Sequence, residues 1–424
     1  MSKQLRIWLF ALLGTLLATS SLLAEGVITM TTSKRVGERI SLQIEANGNV
    51  TIYGAQETGQ TNEDGQKYYT IENQTITIRG DVTELNCSFS SLTSLDVSKN
   101  TALINLDCSA NGLTSLDVSK NTALEILNCA QNDLTSLDVS KNTALTELDC
   151  AFSQLTSLDV SKNTALTELN CGMSELTSLD VSKNTSLTEL DCCSNRLTSL
   201  DVSKNTALTE LDCGCNRLTS LDVSKNIALT ELDCSGNQLT SLDLPESTIL
   251  ETLYCSDNQL ASLNLPNSTA LTTLDCSFNQ LTSLDVSKNT ALTTLDCSFN
   301  QLTSLDVSKN TALTVLGCDG NKLTSLDVSK NTALTELDCN GNKLTNLNIS
   351  GCARLEVLFC FSNCINGKAM TKLVNSLPNR RGMAHGTVFL VDRSSKKKDK
   401  NRCSAADVTT AKKKNWEVGQ VRAF

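Results

Sequence analysis

The sequence predicts a parallel β solenoid, a right-handed coil of 14 turns with extended segments on two faces. Near copies of one 21-residue unit recur from Val82 to Met370. The sixth residue of every copy is a cysteine, and this register never slips. Apolar residues alternate in two short segments of each unit, which is typical of strands that bury one face. A fixed short period indicates one quasi-linear repeat domain instead of several globules.

Each unit reads L-x-x-L-x-C-x-x-N-x-L-x-x-L-D-V-S-K-N-T-A, which gives every turn positions 1 to 21. Inward alternation is expected from Leu232 and Cys234 in the first arm and from Leu221 and Val223 in the second. Two extended arms leave too few residues for a helix in the same turn. Asn at position 9 is expected to bond the backbone of the next turn. Asp at position 15 and Lys at position 18 are expected to form a hydrated face of mixed sign.

The cysteines at position 6 are expected to form a structural ladder of free thiols. Equivalent Cβ vectors in stacked parallel strands run side by side, which is poor geometry for a disulfide. A buried free cysteine behaves as a small hydrophobic residue, so this column should pack the core. The ladder consists of Cys87, Cys108, Cys129, Cys150, Cys171, Cys192, Cys213, Cys234, Cys255, Cys276, Cys297, Cys318, Cys339 and Cys360.

The repeated L-x-x-L-x-C-x-x-N-x-L motif resembles the 21-residue repeats of internalin J-like leucine-rich-repeat proteins, including relatives in the Bacteroidetes. The resemblance covers about two thirds of the chain, with Ser90, Ser153 and Ser174 in place of the motif asparagine. It implies a leucine-rich-repeat solenoid. It also implies a secreted or surface protein that binds other proteins or cells, with roles such as adhesion or biofilm formation.

The segments before the repeats predict export and a cap. Residues 1–24 combine Lys3 and Arg6 with an apolar run and small residues, which indicates a cleaved signal peptide. A membrane anchor is the alternative, but it needs roughly 20 apolar residues. Residues 25–81 contain alternating β-formers and turns, so we expect a β-rich N-terminal cap before the solenoid, which spans 82–364. The mature protein should therefore be extracellular or on the outer cell surface, with no membrane span.

The period ends after Cys360, and residues 365–424 predict an α/β C-terminal cap. The segments 365–378 and 404–416 look helical, whereas 385–392 and 417–421 look strand-like. Two larger helix-plus-strand turns should therefore extend the same sheet. The basic run 393–402 between them is interpreted as a solvated loop, with a polyanion site as the alternative.

Five cysteines lie off the ladder. Cys193 and Cys215, in adjacent turns, are expected to be free or to pair with each other, and two thiolates alone make a weak metal site. A pair among Cys352, Cys364 and Cys403 would staple the C-terminal end. No cofactor and no metal are expected, and calcium would need convergent carboxylates and loop glycines that the repeat lacks.

Composition and variation along the chain favour a binding protein. The formal net charge of −10 disfavours nucleic acid and acidic lipid as partners. Positions 7, 8 and 10 vary between turns while the core positions stay fixed, so these outward positions are expected to bind a protein or cell-surface ligand. Aromatic anchors and acidic side chains that would favour a basic partner are Phe152, Tyr254, Phe278, Phe299, Glu189, Asp191, Glu210, Asp212, Glu231 and Asp233.

Two other functions stay open on the sequence alone. A structural spacer or an inhibitor would share the same fold and would differ in whether it captures a partner. A surface hydrolase is disfavoured, because the chain has no G-x-S-x-G element and a single histidine, His385. A cysteine nucleophile, Cys364 or Cys403, acting with His385 would be its remaining route. We therefore expect a scaffold without catalytic residues.

Overall fold

The computed structural model describes residues 26–63, 65–246, 249–392 and 399–419. These residues belong to two compact units, Met1–Leu166 and Thr167–Phe424. The predicted signal peptide and residues 393–398 of the basic run lie outside the described residues. The strands of the first unit are β1 (Val27–Thr32), β2 (Arg39–Ala46), β3 (Thr51–Tyr53), β4 (Ala55–Thr61), β5 (Lys67–Ile71), β6 (Thr75–Arg79), β7 (Val82–Asn86), β8 (Leu92–Asp96), β9 (Asn105–Asp107), β10 (Ile126–Asn128) and β11 (Glu147–Asp149).

The second unit contains strands and two helices. They are β12 (Glu168–Asn170), β13 (Glu189–Asp191), β14 (Glu210–Asp212), β15 (Leu221–Asp222), β16 (Glu231–Asp233), β17 (Leu242–Asp243), β18 (Thr252–Tyr254), β19 (Thr273–Asp275), β20 (Thr294–Asp296), β21 (Val315–Gly317), β22 (Glu336–Asp338), β23 (Val357–Phe359), α1 (Lys368–Ser376), β24 (Gly386–Phe389), α2 (Ala405–Lys413) and β25 (Trp416–Val418). None of the helices in the described part of the chain is long and apolar enough to cross a membrane.

Each turn contributes one short strand, at positions 3 to 5, to a parallel sheet in its own unit. In the first unit the parallel order runs β7, β9, β10, β11. In the second it runs from β12 to β25, leaving out β15 and β17. Leu232 pairs with Leu211 on one side and Leu253 on the other, so the register follows the 21-residue period. The predicted leucine-rich-repeat β solenoid is confirmed.

The ladder cysteines fill the core beside the leucines. All 14 have no exposed surface, and none of them forms a disulfide. The backbone N–H of Cys213 donates to the Asp233 carbonyl of the following turn at 2.9 Å. Several thiols point the same way, for example Cys234 Sγ, which lies 3.5 Å from the Tyr254 carbonyl oxygen. Burial also raises the pKa of ladder thiols such as Cys213 and Cys234, and that of Cys150 to about 12, so these thiols stay protonated.

The asparagines at position 9 form the expected ladder, but they bond the preceding turn. Asn216 Nδ2 donates to the Cys192 carbonyl of the preceding turn at 3.0 Å and to the Cys213 carbonyl of its own turn at 3.1 Å. Its Oδ1 accepts the N–H of Leu197 at 3.0 Å. One amide thus satisfies buried backbone groups in two turns.

A second asparagine ladder occupies position 19, inside the segment that the sequence analysis placed on a hydrated face. Asn226 has no exposed surface, and its Nδ2 donates to the Val202 carbonyl at 3.1 Å and the Asn205 carbonyl at 2.8 Å. Asp at position 15 and Lys at position 18 are exposed as expected. The buried asparagine at position 19 was not predicted, because it ends the polar run D-V-S-K-N, where no pattern of apolar residues indicates burial.

The second arm forms less sheet than its alternation predicts. Asp222 Oδ1 accepts the N–H of Ser224 at 2.9 Å, and the same bond recurs in other turns. The bond also occurs at Asp96 and Asp327, whose arms do pair, so it shapes the turn without preventing pairing. Within the described residues, strand pairing in this arm is confined to β8, the β15–β17 pair and the bridge Asp327–Asn348.

Antiparallel strands close the first turn of the first unit on both arms. Strand β2 pairs with β7, and β1 pairs with β8. The remaining partners form two small sheets, β4–β5–β2 and β3–β6–β1. Both arms of the first turn thus have hydrogen-bonded neighbours, which removes exposed strand edges.

Two longer turns extend the sheet of the second unit. Strand β24 pairs in parallel with β23, and β25 pairs with β24. Helices α1 and α2 lie in the connections, where the sequence predicted helical segments. Ser404 caps α2 by accepting the Asp407 N–H, and Asp407 accepts the Ser404 N–H in return. This capping box explains why α2 begins at Ala405.

Replacing Cys234 by Ser should lower the free energy of unfolding by about 1 to 3 kcal/mol, because a hydroxyl is more costly to bury than a thiol. Chemical denaturation followed by circular dichroism measures this loss. Cys215→Ser is the matched control, since Cys215 is exposed. Equal midpoints for the two variants would contradict the buried ladder.

Replacing Asn226 by Ala should lower the free energy of unfolding by about 1 to 3 kcal/mol, because two buried carbonyls each lose one of their two donors. Lys225→Ala, one residue away and exposed, should change it by no more than about 0.5 kcal/mol. The same denaturation assay compares both variants. A loss for Asn226→Ala no larger than that for Lys225→Ala would show that the second ladder does not stabilise the solenoid.

Candidate binding face

In each unit, side chains at positions 3, 5, 8 and 10 of the turns point away from the core, and we call the surface that they form the strand face of that unit. All ten residues predicted to bind a partner lie on a strand face, at positions 3, 5 or 8. Glu189, Glu210 and Glu231 are exposed, whereas Asp191, Asp212, Asp233 and Tyr254 are half-buried. The three phenylalanines are each about half exposed.

Position 8 adopts a left-handed backbone conformation in all 14 repeats. Its φ angle lies between 50° and 66°, at Phe89, Ala110, Gln131, Phe152, Met173, Ser194, Cys215, Gly236, Asp257, Phe278, Phe299, Gly320, Gly341 and Ser362. Such angles are strained for residues with a Cβ and suit glycine. Glycine occupies the position in three turns. The bulky side chains elsewhere are therefore retained at a conformational cost.

Phe278 and Phe299 stack on each other at this strained position. Their ring centroids lie 4.4 Å apart, and the ring planes are inclined by 13°. Gly320 in the next turn leaves room for the pair, because a Cβ there would lie 2.8 Å from the Phe299 ring. Phe152 belongs to the first unit and is 49% exposed. The structure thus joins two of the predicted aromatic anchors into one apolar spot.

Carboxylates form two parallel columns on the strand face of the second unit. At position 3, Glu168, Glu189, Glu210 and Glu231 stand directly beside one another in successive strands. At position 5 the column consists of Asp191, Asp212 and Asp233. Burial and the two flanking glutamates raise the pKa of Glu189. Burial, with a smaller contribution from the neighbouring aspartates, raises the pKa of Asp212 to about 6.

The aspartates at position 5 also shape the turn, a role that the sequence analysis missed. Asp212 Oδ1 accepts the N–H of Gly214 at 2.9 Å. Asn170 makes the equivalent bond to Gly172 at 3.1 Å with a neutral amide. The turn therefore needs the oxygen but not the charge. In the sequence, the signal for this bond is Asp or Asn at position 5, two residues before the residue at position 7 whose N–H it accepts. This spacing is typical of Asx turns.

The two columns together contain seven carboxylates, four glutamates and three aspartates. None of them takes part in an ion pair within the described residues. The ion pairs found there are Lys67–Glu57, Arg196–Glu175, Arg380–Glu356 and His385–Glu417. Like charges placed directly opposite in a sheet are destabilising. The columns therefore present uncompensated negative charge to solvent.

Cys193 lies between two of the carboxylates. Its Sγ and one oxygen each of Asp191 and Asp212 are all within 4.8 Å of one another. Burial and the hydrogen bond and charge of Asp191 raise the pKa of this thiol to about 12. Since the thiolate is the metal ligand, the raised pKa works against metal binding. Cys193 and Cys215 were predicted to be free or to pair with each other, and both are free thiols.

The expected disulfide among Cys352, Cys364 and Cys403 is not formed. Cys352 occupies position 19, where its buried thiol donates to the Val328 carbonyl at 3.3 Å, as the ladder asparagines do elsewhere. Cys364 is at position 10, and Cys403 precedes α2. The three thus serve different parts of the fold. His385 Nε2 lies 3.4 Å from Glu417 Oε2.

Comparisons with known proteins identify similar chains. The family model described as Leucine Rich repeats (2 copies) matches residues 185–226 and 250–289. The functional domain of InlJ from Listeria monocytogenes, which includes a cysteine ladder, is 36% identical, with a TM-score of 0.61 over 77% of this chain and 79% of that one. No curated protein sequence matches.

A leucine-rich-repeat protein of Leptospira interrogans is 23% identical, with a TM-score of 0.64 over 79% of this chain and 94% of that one. The internalin InlF from Listeria monocytogenes is 20% identical, with a TM-score of 0.55 over 64% and 85%. These two similarities show a shared fold.

Replacing Asp212 by Asn should stabilise the protein at pH 7.5 by on the order of 1 kcal/mol, after allowance for solvent screening, and leave it unchanged near pH 4. The raised pKa means that ionised Asp212 destabilises the fold, so its favourable contribution is complete below its unfolded pKa of about 3.9 and is lost as the pH rises through about 6. Denaturation midpoints at the two pH values measure the effect.

Asp201→Asn is the control, because hydrogen bonds from Ser203 lower the pKa of Asp201. That variant should show no gain between pH 4 and 7.5. A gain for Asp212→Asn at pH 4 as large as at pH 7.5 would refute the electrostatic explanation.

Proposed function

This chain belongs to the internalin-like leucine-rich-repeat family, and from that premise we propose that it is an exported scaffold that binds a protein or cell-surface partner. Its place among relatives in the Bacteroidetes stays a prediction. The leucine-rich-repeat solenoid is typical of protein-binding domains, and its extended stack of turns offers many side chains along one surface. We propose adhesion, in a biofilm or to a host, as the biological role.

The stacked pair Phe278 and Phe299 is the observation that carries the proposal. Both rings are about half exposed, and both residues hold a left-handed backbone that favours glycine. Folding does not require an aromatic there, since Gly320 and Gly341 fill the same position. Strained residues that the fold does not need indicate function, and exposed aromatics often dominate interfaces.

The carboxylate columns specify the charge of the partner. Four glutamates and three aspartates in successive turns lack a cation within the described residues. A partner rich in Lys or Arg would supply that cation and would be steered toward the strand face. Tyr254 lies at position 5 of the turn between the acidic columns and the phenylalanine pair, so the two regions are consecutive along the sheet.

Export can be tested by fractionating the native cells and treating intact cells with protease. We expect the protein in the medium or in the fraction that surface protease removes. A pool confined to the cytoplasm and resistant to the protease would reject export while leaving the binding face to be tested separately.

Replacing Phe278 and Phe299 together by Ala should weaken partner binding by roughly 30-fold, equivalent to about 2 kcal/mol, and leave the fold intact. A partner is first selected on the immobilised protein from a displayed library of extracellular domains. Biolayer interferometry then compares its Kd for both proteins, and circular dichroism compares their folding.

The matched control is Asp285→Asn with Asp306→Asn, which changes the second arm of the same two turns. Each aspartate accepts a serine N–H at 2.9 Å through Oδ1, and an asparagine retains that oxygen. Binding should stay near the wild-type level. An equal loss from both double variants, or none from the phenylalanines, would mean that another face binds the partner.

A further inference from the structure

The second arm departs from its consensus in two successive turns. Most turns carry Asp-Val-Ser-Lys at positions 15 to 18. These successive turns, residues 243–246 and 264–267, read Asp-Leu-Pro-Glu and Asn-Leu-Pro-Asn, whereas a third exception, Asn-Ile-Ser-Gly at 348–351, keeps the serine. Two of the three prolines in the chain therefore stand at the same position of neighbouring turns. Within the second arms, proline is confined to these two neighbouring turns, which indicates a local cause.

The prolines release polar groups that other turns use internally. In consensus turns the Asp carboxylate accepts the serine N–H, as Asp222 does from Ser224. Proline has no N–H to donate. Asp243 therefore lacks this bond, and its carboxylate has no hydrogen-bond partner within the described residues. Two lysine positions are lost as well, to Glu246 and Asn267.

These changes form an open groove of about 860 Å³. Leu244, Pro245, Leu265 and Pro266 supply apolar lining, and beside them Ile227, 64% exposed, stands where most turns have threonine. The carboxylates of Asp222, Asp243 and Glu246 also line the groove. Its lining residues include no cation, although lysines mark this face in most other turns.

We propose that this groove binds an extended segment of another protein in which Lys or Arg side chains alternate with apolar ones. The basic groups would pair with Asp243 and Glu246, and the apolar side chains would cover Ile227 and the Leu-Pro pairs. The same charges reject an acidic segment. The groove uses positions 15 to 20 of the turn, so it is a second surface, separate from the strand face and independent of its function.

The test uses a fluorescein-labelled ten-residue peptide that alternates Lys and Leu, with Glu-Leu and Lys-Ser peptides of equal length as controls. In fluorescence anisotropy, the Lys-Leu peptide should bind at least tenfold more tightly than either control. The variant P245S/E246K/P266S/N267K restores the Ser-Lys sequence of neighbouring turns and should weaken that binding at least tenfold. Carbodiimide cross-linking should join peptide lysines to Asp243 or Glu246.

A second variant, Asp243→Asn with Glu246→Gln, keeps both prolines and guards against a folding defect in the first. It should weaken binding about fivefold with an unchanged circular dichroism spectrum. Unaltered affinity in both variants, equal binding of the Glu-Leu peptide, or cross-links confined to the strand face would overturn the proposal. Concentration-dependent dimers that disappear in the fourfold variant would also overturn it, because the groove would then hold a second copy of this chain.

Discussion

The repeated structure depends on satisfying buried backbone groups between turns that are too short to contain a helix. A 21-residue turn places carbonyls of both arms inside, where an unpaired group is costly. Two buried asparagine ladders donate to these carbonyls across successive turns, at position 9 beside the cysteines and at position 19 in the second arm, where they add to backbone bonds within the turn. The thiol ladder fills the remaining space between them with a small, neutral side chain.

This division of work leaves the strand face free to vary. Core leucines, cysteines and asparagines bear the packing and the hydrogen bonds, so positions 3, 8 and 10 tolerate glutamate, phenylalanine, arginine or glycine. Position 5 is intermediate, since its oxygen holds the turn while its charge does not. In the second arm, by contrast, a change of sequence removes a bond that the other turns make. Two proline-containing turns give up an internal bond and open a groove.

The sequence predicts the solenoid, the thiol ladder and the outward side chains at positions 8 and 10, because the period is strict and apolar alternation reports burial directly. The prediction that position 7 faces outward is wrong: this position is buried or half-buried in every turn, because it lies against the next turn, as at Gly214, where a Cβ would lie 3.3 Å from Asp233. It also indicates the helices and strands of the last turns, although β25 begins one residue earlier than the predicted segment. The position-19 ladder escaped prediction because a buried asparagine and a solvated one look alike in a polar run. The predicted staple failed because Cys352 replaces such an asparagine, and only the stacking of turns reveals that. Likewise, spacing alone could not show the left-handed angle at position 8 or the contact between Phe278 and Phe299.

In the proposed function, the acidic columns on the strand face of the second unit serve a partner and work against the fold. The most direct test is the denaturation midpoint of the variant E189Q/E210Q/E231Q at low salt and at about 0.5 M salt. We expect the variant to be more stable than the wild type at low salt, because like charges in register repel, and the difference to shrink at high salt as screening shortens the range of repulsion. A variant that is less stable than the wild type at low salt would contradict the claim, because the glutamates would then belong to the frame of the solenoid.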